Sequence, residues 1–428
     1  MFDVILIGAG VANLISSYVL SSYDKNLRLL ILEQGQPIHK RFCDNLCKCN
    51  YCNVLSGVGG AGFFSDGKLT ISPFSGFKLT NKLGVNNVQK IMNYVLNIFY
   101  SFSKDGKFCS ITNKKLLSKI KESEFSLRLY PTVHFGTENI RKISHKLVSL
   151  LTQRSVQIVS NAKVNQIIVK DNGVLGVRVR NDVYEAKNIV VGVGRLGYEW
   201  LNLQLEDLGI KKLNSQSDIG VRVEIKKEFF EYYMRELYDL KLECNNCRTF
   251  CFCHEGYVIL EKYDSFVAVN GHSFHSLKSE NTNFAILCNT DDDVIKIAKR
   301  INFKGNLLLQ SLKDFRSGVV TKNLGSAVPT LKKFIIGNIK DIFPFKIAYK
   351  LDNFFEKLEK LIPGLHSNAI LYSPEIKFIS KKVELNPKNF ETKITGLYVV
   401  GDCSGYTQSI IGSGISGVLA AKSILKDI

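Results

Sequence analysis

Two classes of residue in this 428-residue chain have the type and spacing to do chemistry: dense thiols, and glycine turns bordered by acids. Cys43, Cys47, Cys49 and Cys52 stand in one short run, and Cys244, Cys247, Cys251 and Cys253 in another. The spacings C-x3-C-x-C-x2-C and C-x2-C-x3-C-x-C each offer four thiolates, the number that tetrahedral zinc or an iron–sulfur cluster takes. C-x-C is untypical of a zinc knuckle. Free thiols therefore rank first, a metal site second and a redox-active disulfide third.

The glycine turns are more specific. An apolar run, Val4–Ile7, ends in Gly8-Ala9-Gly10, a helix-like stretch follows from Val11 to Leu20, and a second apolar run, Leu29–Leu32, closes on Glu33. This is the strand–turn–helix–strand–acid frame of a dinucleotide site. Gly8 allows the tight turn, Gly10 lets the backbone N–H groups of Val11 and Ala12 approach a pyrophosphate, and Glu33 follows by about the 20 residues expected of an acid that holds a ribose hydroxyl. The third glycine of the fingerprint is Asn13 here, so the frame, not the triplet, carries the reading.

A denser loop follows, SGVGGAGFFSDGKLT, in which Gly59, Gly60, Ala61 and Gly62 permit close backbone approach and Ser65, Asp66 and Lys68 add polar contacts. Farther on, KNIVVGVGRLGYEWL holds a second formal G-x-G-x-x-G at Gly192, Gly194 and Gly197. No strand ending in an acid follows it at the right distance, which argues against a separate nicotinamide site. In GLYVVGDCSGYTQSIIGSGISGVLAAKSIL a strand runs into Gly401-Asp402, and a turn leads to a helix expected near Gly414 and Ile415.

These turns need a parallel sheet with helices to hold them, and the chain can supply one. Its length allows two or three domains, and 45% apolar residues with only 8 prolines indicate folding throughout. The formal charge of +18 comes from lysines spread along the chain, which fits a solvated basic surface better than a nucleic-acid or membrane partner. Val4–Leu20 is apolar, but Asp3 precedes it in place of a basic segment, so neither a targeting nor a transmembrane segment is expected and a cytoplasmic location follows by default. The 11 cysteines then read as thiols or ligands in preference to structural disulfides. Residues 76–130 look mostly helical and basic, with an apolar stripe over Val88–Phe99 and no evident chemistry; Thr137 looks like a helix cap; Asp171-Asn172-Gly173 looks like a hairpin turn.

SGVGGAGFFSDGKLT, with cysteines directly before it, resembles the glycine loop of a bacterial family of poorly characterised FAD-dependent dehydrogenases in the glutathione-reductase-like flavoprotein superfamily. RTFCFC followed by Gly256, VNGHSFH, Val328-Pro329-Thr330, Ile362-Pro363-Gly364 and YSPEIKF resemble further family segments in the same order, whereas Cys244 and Cys247 look like additions. The resemblance runs nearly end to end and is weakest at 76–130 and 280–325. It implies an α/β chain: a discontinuous Rossmann-like FAD-binding domain over 1–214 and 386–428, with an inserted α+β substrate domain over 215–385. It also implies that Asp402 contacts the ribityl and pyrophosphate side of FAD and that the following helix aims its N-terminus at the flavin. In the superfamily's disulfide reductases the redox pair follows the glycine loop, whereas the first cluster here precedes it.

FAD would carry the redox chemistry, with NAD(P)H a transient donor. Lys68, Arg222, His272, His275 and Glu375 are the candidates to line the flavin face, the histidines as proton relays near neutral pH. The leading expectation is an FAD-dependent oxidoreductase on a small organic substrate. An FAD-dependent RNA-modifying enzyme and a flavin-binding protein without turnover are the alternatives.

Overall fold

The first apolar run forms strand β1 (Phe2–Ile7), whose side chains are buried on both faces beyond Phe2. Helix α1 (Val11–Tyr23) and strand β2 (Leu29–Leu32) follow, with β2 parallel to β1. The computed structural model describes residues 1–428 apart from 44–48, 110–116, 119, 121, 215, 237–238, 275, 303–305, 325, 327, 378–380 and 428.

After the glycine loop the chain makes a small antiparallel sheet from β3 (Lys68–Thr70), β4 (Lys107–Cys109) and, after β5 (Ser126–Leu127), the central strand β6 (Thr132–His134). Helix α2 (Val85–Phe102) lies between them and buries Val88, Ile91, Met92, Val95, Ile98 and Phe99, the i, i+3, i+4 stripe visible in the sequence. Helix makes up most of the described residues in 76–130, as the sequence suggests, and the short strands β4 and β5 are what it did not show. Helix α3 (Gly136–Gln153) starts one residue before Thr137, which is not its cap: the Thr137 hydroxyl donates to the Ser273 carbonyl at 2.6 Å and ties the helix to a distant segment.

Strand β7 (Gln157–Val159) then adds to β2, and β8 (Gln166–Lys170) and β9 (Gly173–Val179) turn through Asp171 and Asn172, both at positive φ as a tight two-residue hairpin requires. Strand β10 (Asp182–Val191) is longer than the sequence suggests. Its first half pairs antiparallel with β9, and its second half runs parallel to β1 and continues the main sheet.

The chain crosses to a second sheet at β11 (Lys212–Leu213). That sheet is built on β12 (Ser217–Lys226), in which every residue from Asp218 to Ile225 is buried. Strands β13 (Leu242–Cys244), β14 (Cys247–Cys253), β15 (Tyr257–Lys262), β16 (Val267–His272), β17 (Asn281–Thr290), β18 (Leu308–Ser311), β19 (Ile335–Ile336) and β20 (Ile370–Lys377) follow. The order across the sheet is β19-β18-β20-β12-β17-β14-β13-β5, so β5, from before the crossing, pairs at its edge; β15 and β16 form a separate hairpin. Helix α4 (Phe345–Leu361) covers one face with Leu351, Phe354, Phe355 and Leu358 in the same core as Val221, Val223 and Ile286. The return crossing is β21 (Lys382–Val383), antiparallel to β11.

Strand β22 (Leu397–Val399) rejoins the first sheet beside β10, and helix α5 (Ile410–Asp427) packs on α1. Contact there is close because Gly417 has no side chain: a Cβ would come 2.2 Å from the Ala12 carbonyl oxygen. The fold is α/β, with one core on each face of the first sheet and two more in the second sheet and its hairpin.

Candidate cofactor and active site

At the C-terminal end of β1 the chain turns through Gly8, whose φ of +90 leaves no room for a side chain: a Cβ would lie 2.7 Å from the Gly192 carbonyl oxygen. Gly10 is the N-cap of α1 and no side chain caps the helix. The first-turn amides of Val11 and Ala12 therefore begin a helix whose positive end opens into a cavity of about 850 Å³. Asn13, the departure from the glycine fingerprint, is fully buried and donates its amide to the carbonyls of Ile7 (2.9 Å) and Gly8 (2.7 Å), closing the end of β1.

Glu33 reaches the cavity wall, but its carboxylate is already engaged. It accepts from the backbone N–H groups of Ala9 (2.8 Å), Gly35 (2.8 Å) and Gly57 (2.9 Å) and from the Ser56 hydroxyl (3.2 Å). This acid pins the two glycine turns together, a task that the ribose expectation did not include. Of the second loop, Gly60, Ala61, Gly62, Ser65 and Asp66 line the cavity. Gly59 is not among the lining residues: its N–H bonds the Ala9 carbonyl at 2.8 Å, and a Cβ there would strike Ser144. Arg41, which the sequence reading passed over, braces this loop by donating to the carbonyls of Val58 and Gly60, both at 3.0 Å.

The far end of the cavity is set by Gly401 (φ +70) and Asp402. The Asp402 carboxylate accepts from Thr407 (3.1 Å) and Ser413 (3.2 Å); burial nonetheless raises its pKa. Helix α5 begins at Ile410, so Ser409, Ile410 and Ser413 face the cavity. Gly414 and Ile415, expected at the helix start, are a turn too late: Gly414 lies against Val95 of α2, and Ile415 is in the core. Gly194 lines the cavity. Cys403 is buried beside Asp402 with its S–H donating to the Val400 carbonyl at 3.2 Å, and burial pushes its pKa up to about 12.

The second sheet and the β15–β16 hairpin supply the opposite wall. Arg195 holds Glu261 with two 3.0 Å contacts, and Tyr263 and Asn270 add bonds to the same carboxylate. Burial opposes charge on Glu261, but Arg195 and Lys377 outweigh it and hold the pKa at about 2. Neither Arg195 nor Glu261 stood out in the sequence; the RLG of the second glycine turn was the available signal. His272 is buried on this wall, and desolvation holds its pKa at about 4, so it is neutral at neutral pH. Lys68 also lines the cavity, 3.3 Å from Asp66 and donating to the Phe252 carbonyl. Lys78, in a stretch to which the sequence reading gave no chemistry, lines it too; burial, then Lys382, lowers its pKa to about 8.

Two candidates are elsewhere. Arg222 and Glu375 are fully buried and paired with each other at 2.9 and 3.0 Å, Arg222 also donating to Asn283 at 2.8 Å. They hold β12 to β20 inside the second sheet and are not among the cavity-lining residues. His275 and Cys47 lie outside the described residues.

The first four-thiolate set includes Cys47, outside the described residues, and its described members Cys43, Cys49 and Cys52 do not come together as a metal-capable group; the second set does not assemble. Cys247, expected as a thiol or ligand, is disulfide-bonded to Cys288 across the β14–β17 pair. Cys244 receives a bond from Lys357, and Cys52 is buried with its sulfur accepting from the Lys262 N–H; Cys43 and Cys49 are half-buried. Among the described residues the metal-capable trio is Asp66, Cys251 and Cys253.

No family model matches the chain. An uncharacterized protein of Clostridium beijerinckii (strain ATCC 51743 / NCIMB 8052) is 23% identical, over 99% of this chain and 80% of that protein. Among solved structures, glycine oxidase from Geobacillus kaustophilus overlaps with a TM-score of 0.45 at 11% identity, covering 99% of this chain and 95% of that one. CtdE in complex with FAD gives 0.43 at 9% identity (99% and 82% covered), and L-proline dehydrogenase from P. horikoshii gives 0.42 at 10% (100% and 94%). Overlaps this loose carry no residue's role across. Among the described residues no helix is long and apolar enough to cross a membrane.

Proposed function

We propose that the cavity takes FAD and that the chain is an FAD-dependent oxidoreductase acting on a small organic substrate. The observation that carries the reading is the uncapped N-terminus of α1, set behind a glycine turn with no room for side chains and opening on the same cavity as Asp402 and the start of α5. The donor set fits the group: backbone amides suit a pyrophosphate, and the cavity volume lies within the range of cofactor sites. Bound there, FAD would supply hydride or two-electron transfer.

The chain's own residues do the rest. Val11 and Ala12 present amides to the phosphates, and the loop at Gly60–Gly62, held by Arg41 and Glu33, lets backbone come close. Asp402, in contact with Thr407 and Ser413, fixes the polar end of the cofactor, while α5 directs its positive end into the cavity. Neutral His272, with its pKa at about 4, is too weak a base to hold a proton at neutral pH, which narrows its expected part as a proton relay. Lys78, with its pKa about 8, is better poised to exchange a proton there. The Arg195–Glu261 pair supplies a rigid charged wall on the substrate side, and NADH or NADPH would donate electrons from the second-sheet side.

The test is the purified protein's absorbance. FAD should bind at one equivalent, and anaerobic NADH or NADPH should bleach it. A chain that retains no FAD when reconstituted would end the reading; bound FAD that neither nucleotide bleaches would remove only the nicotinamide donor.

A further inference from the structure

We propose that Cys251 and Cys253 are a reversible dithiol–disulfide pair in the cavity wall, exchanging electrons with a small disulfide that enters the cavity. The pair sits where β14 leaves regular geometry. Phe250 is opposite Ala285 of β17, yet Cys253 is opposite Asn283, so three steps on β14 answer two on its partner. Such an extra residue is a β-bulge. Cys251 occupies it at φ 50, which an L-residue ordinarily avoids. In a regular strand, residues two apart have Cα atoms about 6.6 Å apart, near the outer limit for a disulfide. Here the two sulfurs and an Asp66 oxygen all lie within 4.8 Å of one another.

The surroundings suit thiolate chemistry. The Cys251 sulfur lies 3.8 Å from the Asp66 carboxylate, and Arg222 donates to the Cys253 sulfur at 3.6 Å and to the Cys251 carbonyl at 2.9 Å. Lys68 stands beside Asp66 at 3.3 Å. The hydrogen bond between the two thiols, with Lys68 and Arg222 close by, draws the Cys253 thiol below its ordinary range despite burial, and the same bond, then burial, holds the Cys251 thiol well above its own. Two cations already stand beside these ligands and would repel a third positive charge, which is why exchange chemistry is favoured over zinc. Access is unequal: Cys251 is half-buried and lines the cavity, while Cys253 is buried behind it.

That asymmetry sets the order of events. The Cys251 thiol gives its proton to the neighbouring Cys253 thiolate and attacks one sulfur of a disulfide R–S–S–R, forming a mixed disulfide and expelling RS⁻, which takes that proton from Cys253. The Cys253 thiolate then attacks the Cys251 sulfur, forming the Cys251–Cys253 bond and expelling the second RS⁻. Counted from the dithiol, the two cysteines lose two electrons and two protons, and R–S–S–R becomes two R–SH. This step needs thiols alone, so it stands or falls apart from the flavin reading.

The test equilibrates the full-length protein, without added flavin, in buffers of reduced and oxidised glutathione, followed by acid quench, alkylation and peptide mass mapping. A Cys251–Cys253 crosslink should appear and reverse, its ratio to the dithiol changing about tenfold for every 30 mV of buffer potential, as a two-electron couple does. Cys253→Ser should accumulate glutathione on Cys251. Separate alkylation of both cysteines across the whole buffer range would overturn the proposal. So would one equivalent of zinc in the purified wild type that is lost in Cys251→Ser. The wild-type mapping decides the matter even where a variant folds poorly.

Discussion

The side-chain amide of Asn13 and the α-carbon of Gly192 occupy one tight space at the end of the first sheet. A Cβ on Gly192 would lie 2.8 Å from the carbon, nitrogen and oxygen of that amide. The glycine missing from the helix side is thus present on the strand side, and close packing survives by exchanging which partner is small. Gly192→Ala should destabilise the protein by about 1–3 kcal/mol through overpacking. Adding Asn13→Gly should return part of that loss. Urea unfolding of the two single variants and the double variant measures the coupling; strictly additive losses would mean the two positions do not share the space.

Arg222 and Glu375, expected at the flavin face, are instead paired inside the second sheet, and a substitution tests that placement. Both are fully buried and each engages the other. Glu375→Ala leaves a guanidinium buried without its counter-ion and should cost about 3–5 kcal/mol. The urea midpoint should fall accordingly, and a change of a few tenths of a kcal/mol would contradict the placement.

Glu261 gives the chain an acid dependence with a defined sign. Its folded pKa of about 2 lies below the usual 4.5, so the Arg195 pair contributes fully above the unfolded value and is lost as pH falls through about 2. Thermal scans between pH 5 and 2 should show a steeper loss of stability in the wild type than in Glu261→Gln, which has no carboxylate to protonate.

His272 and Lys78 should titrate far from their ordinary positions. The His272 ring should protonate near 4 by NMR in place of 6.5, so its neutral form favours folding above 6.5 and that contribution is lost as pH falls toward 4. Lys78 should become reactive to acylating reagents near pH 8, where an ordinary lysine is still protonated. Lys78→Met should remove that reactive site. A Lys78 that reacts only above 10 would mean that it is solvated.

The sequence by itself determined the local devices. Gly8-Ala9-Gly10 before a helix, the Asp171-Asn172-Gly173 hairpin and the apolar stripe of α2 rest on backbone conformation and short-range periodicity, which neighbouring residues dictate. It could not determine which side chains meet across long separations. Arg195 with Glu261, Glu33 with Gly57, and Cys247 with Cys288 are set by strand order and register, and a pattern of residue types carries neither. The helix start at Ile410 in place of Gly414 shows the same division: the glycine that looked like a turn is small because Val95 lies against it. Tertiary structure alone moved Arg222 and Glu375 away from the cavity, and brought Lys78, Arg195 and the Cys251–Cys253 bulge to it, because burial and proximity are properties of the packed chain.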